Sequence, residues 1–365
     1  MATTIFLTGF PGFLGSRLLP RLVLRREGAR AVCLVQGKFA ELAQKRAGEL
    51  IAAHPGLAGR LRLVEGDITS PGLDLDPGER AALAADVAEV YHLAAIYDLA
   101  VARAPAVRVN LEGTRNVLDF AAGCPAFGRF HYVSTCYVSG CHPGIYREDD
   151  LDAGQEFNNH YEETKFLAEV EVRERMHGGL PATVYRPAIT VGDSRTGETQ
   201  KFDGPYYVMR WMLRQGGTAI VPVVGDATAY RVNVVPSDFV IAAIEHLSGI
   251  EGSAGVTYQL ADPAPMTVAE IYDRLAEATG QRVIRVRLPL GLAKASLDYV
   301  PFLGRFLGIP SASVDYFVHP TEYATEHTRR DLAGTGIACP PLPSYLDRLV
   351  AFAREHPEIT AQGMA

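Results

Sequence analysis

Short runs of apolar residues alternate, along the first half of the chain, with longer segments in which apolar residues recur every three or four positions. The short runs are typical of buried strands, and the longer segments are typical of amphipathic helices. Alternating strands and helices favour a parallel sheet that helices cover on both faces. The predicted strands are TIFLT (4–8), AVCLVQ (31–36), LRLVEG (61–66), EVYHLAA (89–95), RFHYVST (129–135) and ATVYRP (182–187), and the predicted helices are 12–27, 39–53, 105–124 and 158–177.

The pattern changes after residue 187. Segments 191–205 and 221–231 are rich in Gly, Asp and Thr, which predicts loops that suit a substrate-facing region. Residues 231–247 and 256–262 return to helix and strand patterns, so we expect the chain to re-enter the sheet there. We therefore predict an α/β fold, a Rossmann-type doubly wound parallel sheet with a smaller, mostly C-terminal substrate-binding region. The expected domains are a dinucleotide-binding domain at 1–190, which the chain re-enters at about 230–262, and a substrate-binding region at 191–229 and 263–365.

Composition and charge exclude several classes of protein. The net charge is −7 and no stretch gathers the Lys and Arg residues, which argues against a nucleic-acid partner. The five cysteines lack the spacing of a metal site, so we expect no metal and read them as the reduced thiols of a cytoplasmic protein. No uncharged apolar window reaches the ~18 residues of a transmembrane segment. The sequence makes no prediction of the oligomeric state.

Three glycines stand between the first predicted strand and the first predicted helix. Gly9, Gly12 and Gly15 lie in TGFPGFLG, which is the context that a glycine-rich nucleotide-binding turn requires. Glycine lets the backbone approach a pyrophosphate, and the N-terminus of the following helix offers free N–H groups and the positive end of a dipole. This stretch therefore predicts a dinucleotide site.

The end of the second strand distinguishes the two nicotinamide cofactors. An acidic residue there binds the free ribose 2′-hydroxyl, whereas basic residues accommodate a 2′-phosphate. The strand ends CLVQGK, with Gln36 and Lys38 and no acidic residue. Lys38, together with Arg17 in the first helix, favours NADPH, with NADH as the alternative. Asp67, after the third strand, is placed either to reach the adenine or to cap a turn.

Tyr161 and Lys165 stand four residues apart in a predicted helix and therefore share one face. A neighbouring ammonium lowers the pKa of a tyrosine, which suits proton transfer. The chain has 16 tyrosines and only five lysines, so about 0.2 pairs with this spacing are expected by chance. Ser134 and Thr135, at the end of the fifth strand, carry hydroxyls that can polarise a carbonyl. Asn110 lies in a predicted helix interior, where Asn is disfavoured, which indicates a polar role.

These motifs, with HLAA (92–95), VNLEGTRNVL (109–118) and YRPAITVG (185–192), resemble in order and spacing the extended short-chain dehydrogenase/reductase superfamily, from residue 1 to about 262. The resemblance implies that Thr135 polarises the substrate carbonyl, that Tyr161 donates a proton and that Lys165 holds the nicotinamide ribose. Asn110 matches the asparagine of the family's helix. The candidate cofactor-binding set is Gly9, Gly12, Phe13, Leu14, Gly15, Arg17, Gln36, Lys38, Asp67, Ile68, Ala94, Ala95, Ser134, Tyr161, Lys165, Pro187 and Ile189.

Within the superfamily, TGFPGFLG, YVST and N-x-x-YEETKFLAE are most similar to the thioester reductase and fatty acyl-CoA reductase branch. That resemblance implies hydride transfer from NADPH to an acyl thioester of CoA or of an acyl carrier protein, giving an aldehyde or an alcohol. The chain departs from the branch at Gln36, where an arginine is usual. MTVAEIYDRLAEATG (266–280) also resembles hydroxysteroid and dihydroflavonol dehydrogenases. Such an alcohol dehydrogenase, a nucleotide-sugar epimerase and a non-catalytic dinucleotide sensor remain the alternatives.

Overall fold

The structure is a computed structural model that describes residues 3–299 and 311–360. All six predicted strands form, with ends that differ from the prediction by a few residues at most. The strands are β1 Thr4–Thr8, β2 Arg30–Val35, β3 Leu61–Glu65, β4 Val87–His92, β5 Arg129–Val133, β6 Gly144–Tyr146, β7 Ala182–Pro187, β8 Ile189–Val191, β9 Thr218–Val224, β10 Val234–Pro236, β11 Thr257–Leu260, β12 Arg282–Leu288 and β13 Thr321–Tyr323.

Seven of these strands form one parallel sheet in the order β3-β2-β1-β4-β5-β7-β11. The last of them, β11, returns the chain to the sheet edge after an excursion of some seventy residues. The chain passes from β3 on one side of β1 to β4 on its other side, so the connections diverge at the carboxyl ends of β1 and β4. Ligands of open α/β sheets bind in the crevice at such a switch point.

Helices cover both faces of the sheet, which confirms the predicted α/β class. Leu18 and Leu22 of the first helix pack with Phe239 and Ile244 on one face, while Val117 and Val172 belong to the core of the other face. The helices are α1 Phe13–Leu24, α2 Ala40–Ala53, α3 Pro77–Asp86, α4 Arg103–Ala106, α5 Gly113–Ala122, α6 His160–His177, α7 Pro205–Leu213, α8 Ser237–Leu247, α9 Val268–Thr279 and α10 Leu290–Tyr299, followed by Glu326–Leu332 and Leu346–Glu355.

Two local predictions are wrong. The single helix expected at 105–124 is interrupted, because α4 and α5 are joined by the π-helical turn Val107–Glu112. The expected loop at 221–231 begins inside a strand, since β9 pairs in parallel with β12. In β9, the side chains of Ala219, Val221 and Val223 alternate into the protein interior, and this period of two outweighs the glycine and aspartate that follow.

A second hydrophobic core lies outside the large sheet. Phe202, Tyr206 and Met209 pack there with Tyr272 of α9 and Leu349 of the helix Leu346–Glu355. Most of this core therefore comes from the segments predicted to bind substrate. Residues 300–310 and 361–365 of that predicted region lie outside the described residues. Among the described residues, no helix combines the length and the apolar character that a membrane crossing requires.

Candidate active site

The glycine turn connects the carboxyl end of β1 to α1. Gly9 has a φ of 90°, and a Cβ atom there would lie 2.8 Å from the carbonyl carbon of Leu93. A Cβ atom on Gly15 would lie 2.5 Å from the carbonyl oxygen of Gly9. Gly12 precedes α1, and no side chain caps the helix. The first N–H groups of α1 are therefore free of side-chain acceptors at the switch point, as a pyrophosphate site requires.

The remaining predicted residues of α1 have other contacts. Leu14 packs against the core of the sheet, and the guanidinium carbon of Arg17 lies 4.8 Å from the ring centroid of Phe13. Arg17 also forms ion pairs of 3.2 Å with Asp193 and 3.1 Å with Glu198. The structure thus gives the predicted phosphate ligand Arg17 two carboxylate partners.

Gln36 and Lys38 follow β2 at the same edge of the sheet. Lys38 is exposed, and its Nζ lies 4.8 Å from the ring centroid of Phe39. Between them, a side chain at Gly37 would need the space that the Glu65 carboxylate occupies. No sequence pattern singled out Glu65, because it ends β3 and only the pairing of β3 with β2 brings it to this turn. One basic and one acidic side chain thus lie at the turn after β2.

Asp67 and Ile68 lie just beyond β3. Oδ1 of Asp67 accepts a hydrogen bond of 2.8 Å from the N–H of Thr69, which is the turn-capping role. Partial burial acts to raise the pKa of Asp67, but hydrogen bonds from Thr69 and Gln36 and the charge of Arg108 hold it below its usual range. The side chain of Ile68 is buried.

Beyond β4, Ala94 and Ala95 are half-buried, and the N–H of Ala94 donates to Oγ1 of Thr8 at 3.3 Å. This hydrogen bond joins the end of β1 to the loop after β4. Both alanines therefore lie at the same carboxyl edge of the sheet as the glycine turn.

Thr135 and Tyr161 meet between β5 and α6. Asn159 caps α6 by accepting from the N–H of Glu162 at 3.0 Å, which places Tyr161 in the first turn of the helix. Burial raises the pKa of Tyr161, whereas a hydrogen bond with the Thr135 hydroxyl lowers it. The Thr135 hydroxyl also donates to the carbonyl oxygen of Pro187 at 3.4 Å. Pro187 ends β7, and Ile189, at the start of β8, is buried beside it.

Lys165 lies one turn further along α6 and is 3% exposed. Its Nζ donates to Oη of Tyr132 at 2.9 Å and to the carbonyl oxygen of Val133 at 2.8 Å. Burial lowers the pKa of Lys165 to about 7, and the charge of Glu169 opposes that shift. A lysine with such a pKa is partly protonated at neutral pH, which is the range in which functional groups are tuned.

Asn110 lies in the π-helical turn and not in a regular helix. Its side-chain oxygen accepts from the N–H of Ile96 at 2.9 Å, and its Nδ2 donates to Oγ1 of Thr164 at 3.0 Å. Asn110 therefore ties the loop after β4 to the helix that carries Tyr161 and Lys165. π-Helical turns are frequent at functional sites.

Ser134 differs from its neighbour Thr135 in what it contacts. Its hydroxyl donates to Oε2 of Glu169 at 2.6 Å, and Glu169 pairs at 2.7 Å with Arg186; both of these charged side chains are completely buried. Sequence reasoning missed Glu169 and Arg186. Two signals pointed to them: Glu169 shares a helix face with Tyr161 and Lys165, and Arg186 is charged inside an apolar strand, where a partner is required.

The ring of Tyr97 packs edge-on against that of Tyr161, with centroids 5.0 Å apart. Nζ of Lys201 donates to the carbonyl oxygen of Tyr97 at 3.1 Å and lies 3.0 Å from Oδ2 of Asp203. Residues next to the second hydrophobic core thus reach the surroundings of Tyr161. The candidate substrate site lies between that core and the crevice of the sheet.

Comparisons with known proteins indicate the family and the fold of the chain. The family model described as male sterility protein matches residues 7–244. One linear gramicidin synthase chain of Brevibacillus parabrevis is 30% identical over 266 residues, which are 70% of this chain and 5% of that protein. The isonitrile lipopeptide synthase of Streptomyces coeruleorubidus is 27% identical over 95% of this chain and 24% of its own length.

One solved structure superimposes on nearly the whole chain. The terminal R domain from the myxalamid PKS-NRPS biosynthetic pathway is 27% identical, with a TM-score of 0.82, and the match covers 98% of this chain and 91% of that one. By contrast, the chain spans about a quarter or less of the two curated relatives named above.

Proposed function

Because the chain belongs to the male sterility protein family and is an NAD(P)-dependent oxidoreductase of the extended short-chain dehydrogenase/reductase type, we propose that it reduces an acyl thioester of CoA or of an acyl carrier protein with NADPH. The observation that supports the proposal is that Thr135 bonds to Tyr161, while Lys165, on the same face of α6, bonds to Val133 of β5.

The glycine turn and the free N–H groups of α1 fit the pyrophosphate of a dinucleotide, because Gly9 and Gly15 bring the backbone closer than side chains would allow. When bound, a reduced nicotinamide cofactor supplies the hydride. Lys165 would hold its ribose by a hydrogen bond. The cofactor preference rests on Lys38, while Glu65 at the same turn opposes a 2′-phosphate by its negative charge.

The hydroxyls of Thr135 and Tyr161 both act on the carbonyl oxygen of the substrate. Thr135 and Tyr161 donate hydrogen bonds to the thioester oxygen, which stabilise the negative charge that develops on it. Tyr161 then gives its proton to that oxygen. The carbonyl carbon thereby gains one hydride and its oxygen one proton, which gives a hemithioacetal. When the bond between that carbon and sulfur breaks, the proton passes from the oxygen to the sulfur, and an aldehyde and a free thiol result.

The thioester proposal is tested with a panel of acyl-CoA thioesters, acyl carrier protein thioesters, ketosteroids, dihydroflavonols and nucleotide sugars. We expect NADPH oxidation with thioesters only, with one thiol released for each NADPH consumed in the first reduction. Turnover confined to steroid or flavonoid substrates would identify an alcohol dehydrogenase instead. Cofactor binding without turnover of any class would favour a dinucleotide sensor.

A further inference from the structure

Two residues of β5 accept hydrogen bonds from the amino group of Lys165. Its Nζ lies 2.9 Å from Oη of Tyr132, 2.8 Å from the carbonyl oxygen of Val133 and 4.4 Å from the centroid of the Tyr132 ring. An ammonium group has three N–H donors. Over residues 3–299 and 311–360, these two oxygens are the hydrogen-bond acceptors of Nζ, so one donor is left for a ligand.

Glu169 lies one turn beyond Lys165 on the same face of α6 and is completely buried. It accepts hydrogen bonds from Ser134 at 2.6 Å, from Nη2 of Arg186 at 2.7 Å and from Nε of Arg173 at 3.1 Å. A buried carboxylate with this many donors stays ionised, and its pKa is indeed lowered: burial opposes ionisation, but Arg186 and Arg173 outweigh it.

The other groups that face Lys165 carry no negative charge at neutral pH. Burial, with the charge of Lys165, lowers the pKa of His92 on β4 to about 3, so this imidazole is neutral. Burial raises the pKa of Tyr132 on β5 and of Tyr161 on α6. Thr114 of α5, which bonds to His92 at 2.9 Å, is neutral, and Arg186 on β7, which pairs with Glu169, is positive. Glu169 is the counter-charge.

We propose that Tyr132 and Glu169 are positioning residues of the reaction: Tyr132 directs the free N–H of Lys165 toward the nicotinamide ribose, and Glu169 favours the protonated form of the Lys165 amino group. The inference rests on the role proposed above for Lys165. Neither residue touches the substrate. Both act through the lysine.

The balance of these contacts makes Lys165 sensitive to small changes. Burial lowers its pKa to about 7, and Glu169 opposes the shift. The protonated form therefore dominates below pH 7 and is lost as the pH rises. Removing either the Tyr132 hydroxyl, which accepts from the ammonium, or the Glu169 charge moves this loss to lower pH.

Tyr132→Phe and Glu169→Gln test the inference, with Tyr185→Phe as the matched control. Tyr185 is a buried tyrosine of the same sheet whose hydroxyl bonds to His131 and not to the lysine. The chain has only five lysines, so the 13Cε signals of 13C-lysine-labelled protein are few, and Lys165→Met assigns the signal of interest. This signal, followed against pH, gives the protonation of Lys165 without any need for turnover.

We expect Tyr132→Phe to shift the Lys165 titration down by about one pH unit. NADPH binding, measured by nucleotide fluorescence, should then be about tenfold weaker at pH 8 and almost unchanged at pH 5. Glu169→Gln should shift the titration in the same direction and move the alkaline limb of kcat/KM with it. If Glu169→Gln does not fold, Tyr132→Phe alone decides.

Titration and binding that match the Tyr185→Phe control at every pH would overturn the inference while leaving the proposed function intact. Uniformly weaker binding at all pH values, with an unshifted lysine signal, would also overturn it, because that result marks a merely structural role. Wild-type protein that binds neither NADPH nor NADH would instead overturn the proposed function, and this inference with it.

Discussion

At the scale of single residues, the site depends on a tyrosine that burial keeps protonated. Burial raises the pKa of Tyr161 by more than the hydrogen bond with the Thr135 hydroxyl lowers it. In this state Tyr161 is a proton donor, which is the role that carbonyl reduction requires. Burial lowers the pKa of Lys165, one turn further along the helix, to about 7.

Tyr161→Phe removes the proton donor while keeping the aromatic ring beside Tyr97. We expect kcat to fall by ~10²–10⁴, the usual contribution of a general acid, because the carbonyl oxygen loses its proton source. The dissociation constant of NADPH should change little. Steady-state kinetics and fluorescence titration measure the two, and Tyr185→Phe serves as the control. Near-normal turnover in Tyr161→Phe would remove Tyr161 from the mechanism.

Two further residues test the proposed cofactor preference. Lys38→Ala should raise the KM for NADPH about fivefold and leave that for NADH unchanged, because an exposed charge contact to a phosphate contributes ~1 kcal/mol. Glu65→Gln should lower the KM for NADPH, since it removes a repelling charge. Lys45→Ala, an exposed lysine of α2, is the control. Equal effects of Lys38→Ala on both cofactors would contradict the NADPH preference.

At the scale of elements, the proposed cofactor site depends on the close contact between the glycine turn and α1. Gly15→Ala would place a Cβ atom 2.5 Å from the carbonyl oxygen of Gly9, so the turn must move. We expect nucleotide binding to weaken at least tenfold, as the aligned N–H groups are lost.

The matched control for this variant is Gly48→Ala in α2, where a Cβ atom meets nothing within 4 Å. Alanine there should leave binding unchanged and stabilise the protein by up to ~1 kcal/mol through its helix propensity. Fluorescence titration and urea unfolding measure both quantities. Wild-type binding by Gly15→Ala would show that the turn does not shape the site.

Most elements could be predicted from the sequence, but the π-helical turn could not. The large strands and helices follow from residue periodicity, because buried strands and amphipathic helices repeat with different periods. The π-helical turn around Asn110 leaves no such mark, since one extra residue in a helix does not alter the apolar pattern enough to be read. Asn110 could therefore be singled out as a polar residue, but its geometry could not be foreseen.

At the scale of the whole molecule, one buried carboxylate ties distant segments together. Glu148 accepts hydrogen bonds from the N–H groups of Gln259 at 3.0 Å, His327 at 2.5 Å and Thr328 at 3.0 Å. Arg186 and Arg173 bind backbone carbonyls of residues 147–150 from the other side. The loop that carries Glu148 thus connects the two arginines that bind Glu169 with strand β11 and the helix Glu326–Leu332.

Glu148→Gln should lower the free energy of unfolding by about 2–3 kcal/mol, because one of the buried donors loses its acceptor. Asp149→Asn, whose side chain is 83% exposed, is the neighbouring control and should change it by less than ~0.5 kcal/mol. Urea denaturation of both variants provides the measurement. Equal stability of the two would mean that the loop does not hold these segments together.

The sequence by itself determined the α/β class, the glycine turn and the shared helix face of Tyr161 and Lys165. These depend on local geometry: apolar runs form strands, glycine alone lacks a Cβ atom, and residues four apart share a helix face. Their signals therefore lie within a few neighbouring positions.

Only the tertiary structure decided the partners across the sheet. It pairs Arg17 with Asp193, 176 residues away, sets Glu65 against Gly37 and buries Glu169 with Arg186. These contacts depend on which strands are neighbours, and periodicity along the chain does not encode strand order. Strand order therefore decides which charged residues lie near Lys165 and near the turn after β2.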